Sequence, residues 1–137
     1  MTTFIDTSAL LALLDSHDEH HVDATAAWAV LASQEADLVT TNYVVLETLA
    51  VTQHRLGLDA VRGWVHEVLP LLDVVFVDGP VHEAALASML AAGRRHLSLV
   101  DCVSFEIIRR MRLRSAFAYD SHFREQGFSL PEPPLPQ

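Results

Sequence analysis

Lysine is absent from this chain of 137 residues, and all nine of its basic side chains are arginines. The absence excludes several classes of enzyme. A P-loop nucleotide-binding protein needs a Gly-Lys-Ser or Gly-Lys-Thr motif. Receiver domains and haloacid-dehalogenase-like phosphatases place a lysine beside their acidic pocket, and the phosphatases also need a second aspartate two residues after the first. Here that second position, counted from Asp6, is Ser8.

Cysteine and long hydrophobic runs are also scarce. The one cysteine, Cys102, excludes an internal disulfide and fits a reducing compartment. No apolar stretch reaches the ~18 residues that a membrane span requires, and the first residues lack the basic start of a targeting peptide. Half of the residues are hydrophobic, which is enough for the core of one domain. We therefore expect a soluble cytoplasmic protein with no membrane segment.

Charge is unevenly distributed along the chain. Residues 1–93 carry thirteen acidic and two basic side chains, whereas residues 94–137 carry five acidic and seven basic ones, within a total of −9. Four arginines, Arg109, Arg110, Arg112 and Arg114, lie close together at the end of a predicted helix. Cations are favoured at a helix C-terminus without any ligand, but arginines also bind RNA phosphates. Both interpretations stay open at this point.

Short apolar runs alternate with amphipathic stretches along the chain, which indicates strands alternating with helices. We predict strands at residues 3–5, 38–40, 74–77 and 116–119, with a possible fifth near Phe128. Helices are predicted at residues 8–14, 22–32, 43–55, 58–69, 79–92 and 99–111. This alternation predicts a three-layer α/β/α sandwich with a mainly parallel sheet of four or five strands. The domain should cover residues 1–128, followed by a proline-rich tail at 129–137.

Four acidic residues lie inside or directly after apolar runs: Asp6, Glu47, Asp101 and Asp120. Asp6 and Asp120 end predicted strands that neighbour each other in a 3-2-1-4 order, and the ligand of such a sheet binds at the carboxyl ends of its strands. Buried carboxylates are costly without a cation, and two of them ~4 Å apart repel by ~4 kcal/mol at an effective dielectric of about 20.

We therefore predict that the four acids converge on a cation, with at least one pKa above its usual value. With no histidine or cysteine expected in the immediate motifs of these acids, their surroundings should be all-oxygen, which favours Mg²⁺ or Mn²⁺ over Zn²⁺. Metal-assisted hydrolysis of a phosphodiester fits such a site.

Each acid also has a simpler interpretation. Any one of them, taken alone, is more often a helix cap or a turn residue, and only the joint pattern favours a metal site. The run from His17 to His21 has two histidines at i,i+4 spacing, as in some metal sites. A polar loop entering a helix is the better interpretation, because no second ligand pair occurs at a recognisable zinc spacing.

Four segments of the chain resemble the motifs of the PIN domain family in order and spacing. They are Phe4-Ile5-Asp6-Thr7-Ser8, Thr41-Asn42-Tyr43-Val44-Val45-Leu46-Glu47, Leu97-Ser98-Leu99-Val100-Asp101 and Ala118-Tyr119-Asp120-Ser121-His122-Phe123. The size and spacing most resemble VapC-type toxins of type II toxin–antitoxin pairs. This resemblance implies a Mg²⁺-dependent endoribonuclease that is inhibited by a small antitoxin and forms a homodimer.

The resemblance also implies roles for individual residues. Asp6, Glu47, Asp101 and Asp120 would form the catalytic metal site, with Asp6 and Asp101 as direct ligands and Ser8 as a supporting hydrogen-bonding residue. The alternative is a catalytically silent PIN-like module that binds RNA or a protein. Retention of all four acids argues against that alternative.

Overall fold

The computed structural model describes residues 1–129. Within this range four strands form one parallel sheet: β1 (Thr2–Ile5), β2 (Asp37–Thr41), β3 (Asp73–Val75) and β4 (Ser115–Phe117). Their order across the sheet is β3-β2-β1-β4. The predicted strand order is therefore confirmed, and the carboxyl ends of β1 and β4 lie side by side.

Seven α-helices connect and follow these strands in the described range. Most of them begin at a polar capping residue, as at Asp78, whose carboxylate accepts the Val81 N–H at 2.9 Å before α5. The helices are α1 (Thr7–Leu14), α2 (His21–Ser33), α3 (Asn42–Leu56), α4 (Leu58–Glu67), α5 (Gly79–Ala92), α6 (Leu99–Arg110) and α7 (Ser121–Glu125), and a short 3-10 helix spans Leu69–Leu71. In the described part of the chain no helix is long and apolar enough to cross a membrane.

The direction of the strand order puts helices on both faces of the sheet. From β1 to β2 and from β2 to β3 the chain moves towards one edge, and from β3 it crosses back to β4 at the other edge. Parallel crossovers are right-handed, so α1–α4 cover one face while α5 and α6 cover the other. This arrangement confirms the predicted three-layer fold.

An aromatic cluster holds the last helix against the sheet. The Phe105 ring of α6 meets the Phe123 ring of α7 edge-on, at 4.9 Å between centroids and 71° between planes. The Phe123 ring also packs against Phe4 of β1, at 6.4 Å between centroids. All three side chains are buried. Because Phe123 is anchored in this way, the residues just before it are held at the carboxyl end of the sheet.

Several predicted boundaries were wrong at this end of the molecule. Strand β4 ends at Phe117, so Asp120 lies three residues beyond it and not at its end. The predicted third strand was too long, because Val77 donates its N–H to the Asn42 side chain at 2.8 Å instead of extending β3. Helix α7 was not predicted at all. It has only five residues, too few for a helical periodicity to show.

The possible fifth strand is reduced to one bridge between Ser115 and Ser129 in the described residues. The predicted proline-rich tail, residues 129–137, lies outside the described part of the chain except for Ser129, so the predicted domain boundary stays a prediction.

Candidate active site

Asp6 occupies the junction between β1 and α1 and is the most deeply buried of the four predicted acids, with 3% of its surface exposed. Its backbone N–H donates to the Phe117 carbonyl at 3.0 Å, which ties the ends of β1 and β4 together. Asp6 is the N-cap of α1, and its Oδ2 accepts hydrogen bonds from the Ser8 N–H at 3.1 Å and from the Ser8 hydroxyl at 2.6 Å. The Asp6 carboxylate is therefore fixed by its own helix.

Ser8 connects the Asp6 carboxylate to the segment that carries Asp120. Its Oγ donates to Asp6 and accepts the Tyr119 N–H at 2.9 Å. Asp120 follows directly and caps α7 by accepting the His122 N–H on Oδ1 at 3.0 Å. The predicted supporting role of Ser8 stays a prediction, but this pair of hydrogen bonds is the arrangement that such a role needs.

Asp101 enters from the first turn of α6, as predicted. Its carboxylate accepts the Ser98 N–H at 3.1 Å, while the Ser98 hydroxyl accepts the Asp101 N–H at 3.1 Å, which makes a reciprocal capping box. With 7% of its surface exposed, Asp101 is buried. The capping interpretation thus holds for this residue, and the same caps orient a carboxylate that lies near Asp120; its role in a metal site stays a prediction.

Glu47 comes from the second turn of α3 and is half-buried. The adjacent Thr7 side chain lowers the pKa of its carboxyl and so favours its charged form. The Thr7 hydroxyl donates to the Val44 carbonyl, at 3.4 Å, so the start of α1 contacts α3 near Glu47. Of the four acids, Glu47 alone takes no part in capping a helix.

The carboxylates lie close enough to disturb one another's ionisation. Burial raises the pKa of Asp6 from 3.8 to about 7, against the opposing effect of the Ser8 hydrogen bonds, and repulsion from Asp101 and Glu47 adds to the increase. Burial also raises the pKa of Glu47, helped by repulsion from Asp101 and Asp120. The predicted increase in pKa is confirmed, but loss of water causes more of it than repulsion between the acids.

The pKa of Asp101 is likewise raised, mainly by burial and in part by repulsion from Asp120. Its hydrogen bonds with Ser98 and the charge of His122 act in the opposite direction. All four predicted acids are therefore brought together at the carboxyl edge of the sheet.

His122 was missed as a member of this group, and the prediction of surroundings without histidine was wrong. Ligand atoms of Asp101, Asp120 and His122 lie within 4.8 Å of one another. The His122 Nε2 is 3.1 Å from the His96 carbonyl, an acceptor, so we assign its proton to that nitrogen. Its Nδ1 lies 3.6 Å from a carboxylate oxygen of Glu125. The position of His122, two residues after Asp120 in the last motif, was the signal available in the sequence.

The other histidine run does not form a metal cluster. The loop before α2 is made of turns, with the Asp15 and Asp18 carboxylates accepting the N–H groups of His17 and His20 at 2.9 and 2.8 Å. The His21 ring nitrogen Nδ1 bonds the Ala12 carbonyl at 2.7 Å. Among the described residues, Asp101, Asp120 and His122 are the one group of at least three possible ligands that meets a metal-site geometry.

The arginine segment lies away from the acids. Arg109 bonds the Gln126 side chain, and Arg110 pairs with Glu106 at 2.8 Å. Arg112 and Arg114 line a hollow of about 470 Å³ beside Ser115. Because β4 begins at Ser115, this hollow lies at the opposite end of the sheet from the carboxylates.

A family model described as the PIN domain matches residues 3–129. The chain belongs to the PIN domain family. It is 30% identical to the 23S rRNA-specific endonuclease VapC20 of Mycobacterium tuberculosis over 126 residues, which cover 91% of this chain and 94% of that protein. The crystal structure of VapC20, described as a sarcin–ricin loop cleaving toxin, matches with a TM-score of 0.82 at 28% identity, covering 98% of this chain and 100% of VapC20.

Two solved structures of lower identity are similar in fold alone. VapBC2 from Rickettsia felis, bound to a DNA fragment from its promoter, matches with a TM-score of 0.67 at 10% identity, over 95% of this chain and 97% of the other. A toxin–antitoxin complex from Klebsiella pneumoniae matches with a TM-score of 0.66 at 13% identity, over 96% of this chain and 99% of the other. The architecture is thus kept at low identity.

Proposed function

We propose that this protein is a divalent-metal-dependent endoribonuclease that acts as the toxin of a toxin–antitoxin pair. The observation that carries the proposal is the convergence of Asp6, Glu47, Asp101 and Asp120 at the carboxyl edge of the sheet. The 30% identity to VapC20, which is named as an rRNA endonuclease, supports the reaction class. It also makes the sarcin–ricin loop of 23S rRNA the first substrate to test.

The donor set fits a hard divalent cation. Four carboxylates supply oxygen ligands of the kind that Mg²⁺ and Mn²⁺ prefer. Burial raises the pKa of Asp6 to about 7, and repulsion from Asp101 and Glu47 adds to the increase. A cation in the pocket would favour the charged form of this carboxyl, which burial and repulsion disfavour. We propose Mg²⁺, with Mn²⁺ as a substitute, held by Asp6 and Asp101 directly and by Glu47 and Asp120 around them.

The protein's own residues then have separate tasks. Ser8 holds the Asp6 carboxylate through Oδ2, and Ser98 holds that of Asp101, so neither ligand has to reorganise on binding. Glu47, at the more exposed side of the group, orients the attacking water. A bound Mg²⁺ supplies the acidification of that water and the neutralisation of charge on the phosphodiester oxygens. His122 stays outside the ligand set in this proposal, because its Nε2 proton is donated to the His96 carbonyl and its Nδ1 lies beside Glu125, which is not one of the four acids.

Cleavage of a synthetic sarcin–ricin loop hairpin tests this proposal. The purified protein should cut the hairpin with Mg²⁺ or Mn²⁺ and stop when EDTA is added. Asp101→Asn should abolish cleavage, whereas the matched control Asp37→Asn, an exposed acid at the far end of β2, should cleave normally. Adding Asp6→Asn to Asp101→Asn should lose little more, since the acids act as one unit. Cleavage that survives excess EDTA would refute the metal mechanism.

The toxin role has a separate test. Expression of the chain alone should arrest growth of a bacterial host, and Asp101→Asn should relieve the arrest. A soluble, folded protein that cleaves no RNA and arrests no host would instead support the silent binding module.

The proposed partner is a small antitoxin, with the toxin itself a homodimer. The acidic pocket suits a basic side chain, so we propose that the antitoxin places an arginine against the carboxylates. An antitoxin that still inhibits after its C-terminal basic residues are replaced would refute that contact. Light scattering of the purified chain tests the dimer.

A further inference from the structure

A hollow of about 330 Å³ opens beside the carboxylates, between α3 and the first turn of α6. Its lining is Tyr43, Leu46, Glu47, Ala50 and Val100. The four residues from α3 are spaced by three and four, so they lie on one face of that helix. Val100 directly precedes Asp101. The hollow therefore borders the acid group on both sides, because Glu47 lies on its α3 side and Val100, next to Asp101, lies on its α6 side.

The aromatic ring in this hollow is held in place from a third helix. The Tyr43 hydroxyl shares a hydrogen bond of 2.6 Å with Nδ1 of His82 on α5. The two rings also meet edge-on, with their centroids 5.9 Å apart and their planes at 72°. A ring fixed before a ligand arrives loses little conformational entropy when the ligand binds. Tyr43 is thus preorganised as a flat apolar surface at the edge of the hollow.

We propose that this hollow binds the nucleobase of a nucleotide next to the cleaved phosphodiester bond, with Tyr43 as its stacking surface. The inference rests on the proposed endoribonuclease function. Glu47 belongs both to the acid group and to the hollow, so a phosphate held at the acids leaves an attached base within reach of the hollow. Stacking of unpaired bases on aromatic side chains is a general mode of RNA recognition.

The chemistry of the lining favours a base over an apolar protein side chain. The hollow is mostly apolar, but Glu47 contributes a carboxylate, which only accepts hydrogen bonds. A nucleobase offers an apolar face to Tyr43 and Leu46 and an N–H edge to Glu47, as carboxylates accept from the cytosine amino group in DNA recognition. An aliphatic side chain would offer Glu47 no such donor from the hollow. A second copy of this chain covering the exposed Leu46 is the rival occupant.

A coupled substitution of protein and RNA tests the proposal. The sarcin–ricin loop hairpin is prepared with single abasic nucleotides at each position around the cleavage site. Cleavage is measured with Mg²⁺, and binding is measured by fluorescence anisotropy in EDTA. For the wild type, one abasic position should lower kcat/KM and affinity by about fivefold or more, since stacking is worth ~1–3 kcal/mol per base. With Tyr43→Ala, the same abasic position should cost almost nothing further.

Two variants separate stacking from other roles. Tyr43→Phe keeps the ring but loses the bond to His82, and should retain most of the abasic effect. Leu58→Ala removes an exposed leucine from α4, outside the hollow, and should behave as the wild type. Circular dichroism and light scattering show whether each variant keeps its fold and its oligomeric state.

The outcomes distinguish this inference from the function on which it rests. Suppose that the wild type cleaves RNA, but that Tyr43→Ala lowers kcat/KM by the same factor for the intact hairpin and for every abasic hairpin. The inference is then overturned, and the proposed nuclease function stands. The inference is also overturned if Tyr43→Ala or Leu46→Ala dissociates a dimer while the abasic effect persists, because a second copy then covers the hollow. Base-dependent binding that requires Tyr43, without any cleavage, would support the hollow and refute the nuclease.

Discussion

Replacing Asp6 by Asn should remove the pH dependence of stability that the raised pKa of this carboxyl causes between pH 5 and pH 8. Asp6 is buried, and the pKa of its carboxyl is raised from 3.8 to about 7, mainly by burial. Both hydrogen bonds from Ser8 reach the same oxygen, Oδ2. An asparagine can therefore keep both acceptor contacts on its carbonyl oxygen while it removes the charge.

The direction and size of the effect follow from proton linkage. Below about pH 3 the Asp6 carboxyl is protonated in both the folded and the unfolded chain and costs nothing. As the pH rises towards 7, the unfolded chain releases this proton while the folded chain retains it, so the free energy of unfolding falls. The full difference of about three pKa units is about 4 kcal/mol. Most of it, about 3 kcal/mol, falls between pH 5 and pH 8.

Denaturant unfolding in EDTA at a series of pH values measures this effect. The stability advantage of Asp6→Asn over the wild type should grow by about 3 kcal/mol from pH 5 to pH 8, or roughly 10 °C in Tm for a domain of this size. The free energy of unfolding of Asp37→Asn, a substitution at an exposed position, should change with pH in parallel with that of the wild type. Curves for Asp6→Asn and the wild type that stay parallel within about 0.5 kcal/mol, the usual range of a surface substitution, would refute the argument from burial.

Three further outcomes are expected. Millimolar Mg²⁺ at pH 8 should raise the Tm of the wild type through preferential binding to the folded state. The increase in Tm should be smaller for Asp120→Asn, and equal increases for the two proteins in a thermal scan would show that Asp120 is not part of the metal site. Arg112→Gln with Arg114→Gln should reduce the slope of log affinity for RNA against log salt by about 2 if both contact phosphates, whereas Arg62→Gln should leave it unchanged; an unaltered slope would assign the pair to the helix end alone. Ser98→Ala should cost about 1 kcal/mol by loss of the N-cap but should leave cleavage nearly unchanged, because the backbone N–H of residue 98 that holds the Asp101 carboxylate remains; Ser98→Thr should restore the stability, and paired melting and cleavage assays measure both.

Local patterns were sufficient to predict the architecture. Buried parallel strands need continuous apolar runs, and helices need capping residues and amphipathic spacing. Both patterns can be recognised in the sequence within a few residues. The 3-2-1-4 strand order was an inference from the expected sheet topology, since sequence alone does not give strand order, and the structure confirms it. The failures concern short elements. Helix α7 and the end of β4 depend on the packing of Phe123 and on the Asp120 cap, which no local period encodes.

The amino-acid sequence by itself determined the fold class and singled out the four acids, because both depend on residue type and spacing. Only the tertiary structure decided how these acids are held and how strongly they are perturbed. Three of them cap helices and face the group at the same time, and burial outweighs repulsion in raising the pKa values of Asp6 and Asp101. The structure also added His122 to the group and placed Arg112 and Arg114 at the far end of the sheet. These features depend on contacts between residues far apart in the chain, since burial and distance exist only once the helices pack on the sheet.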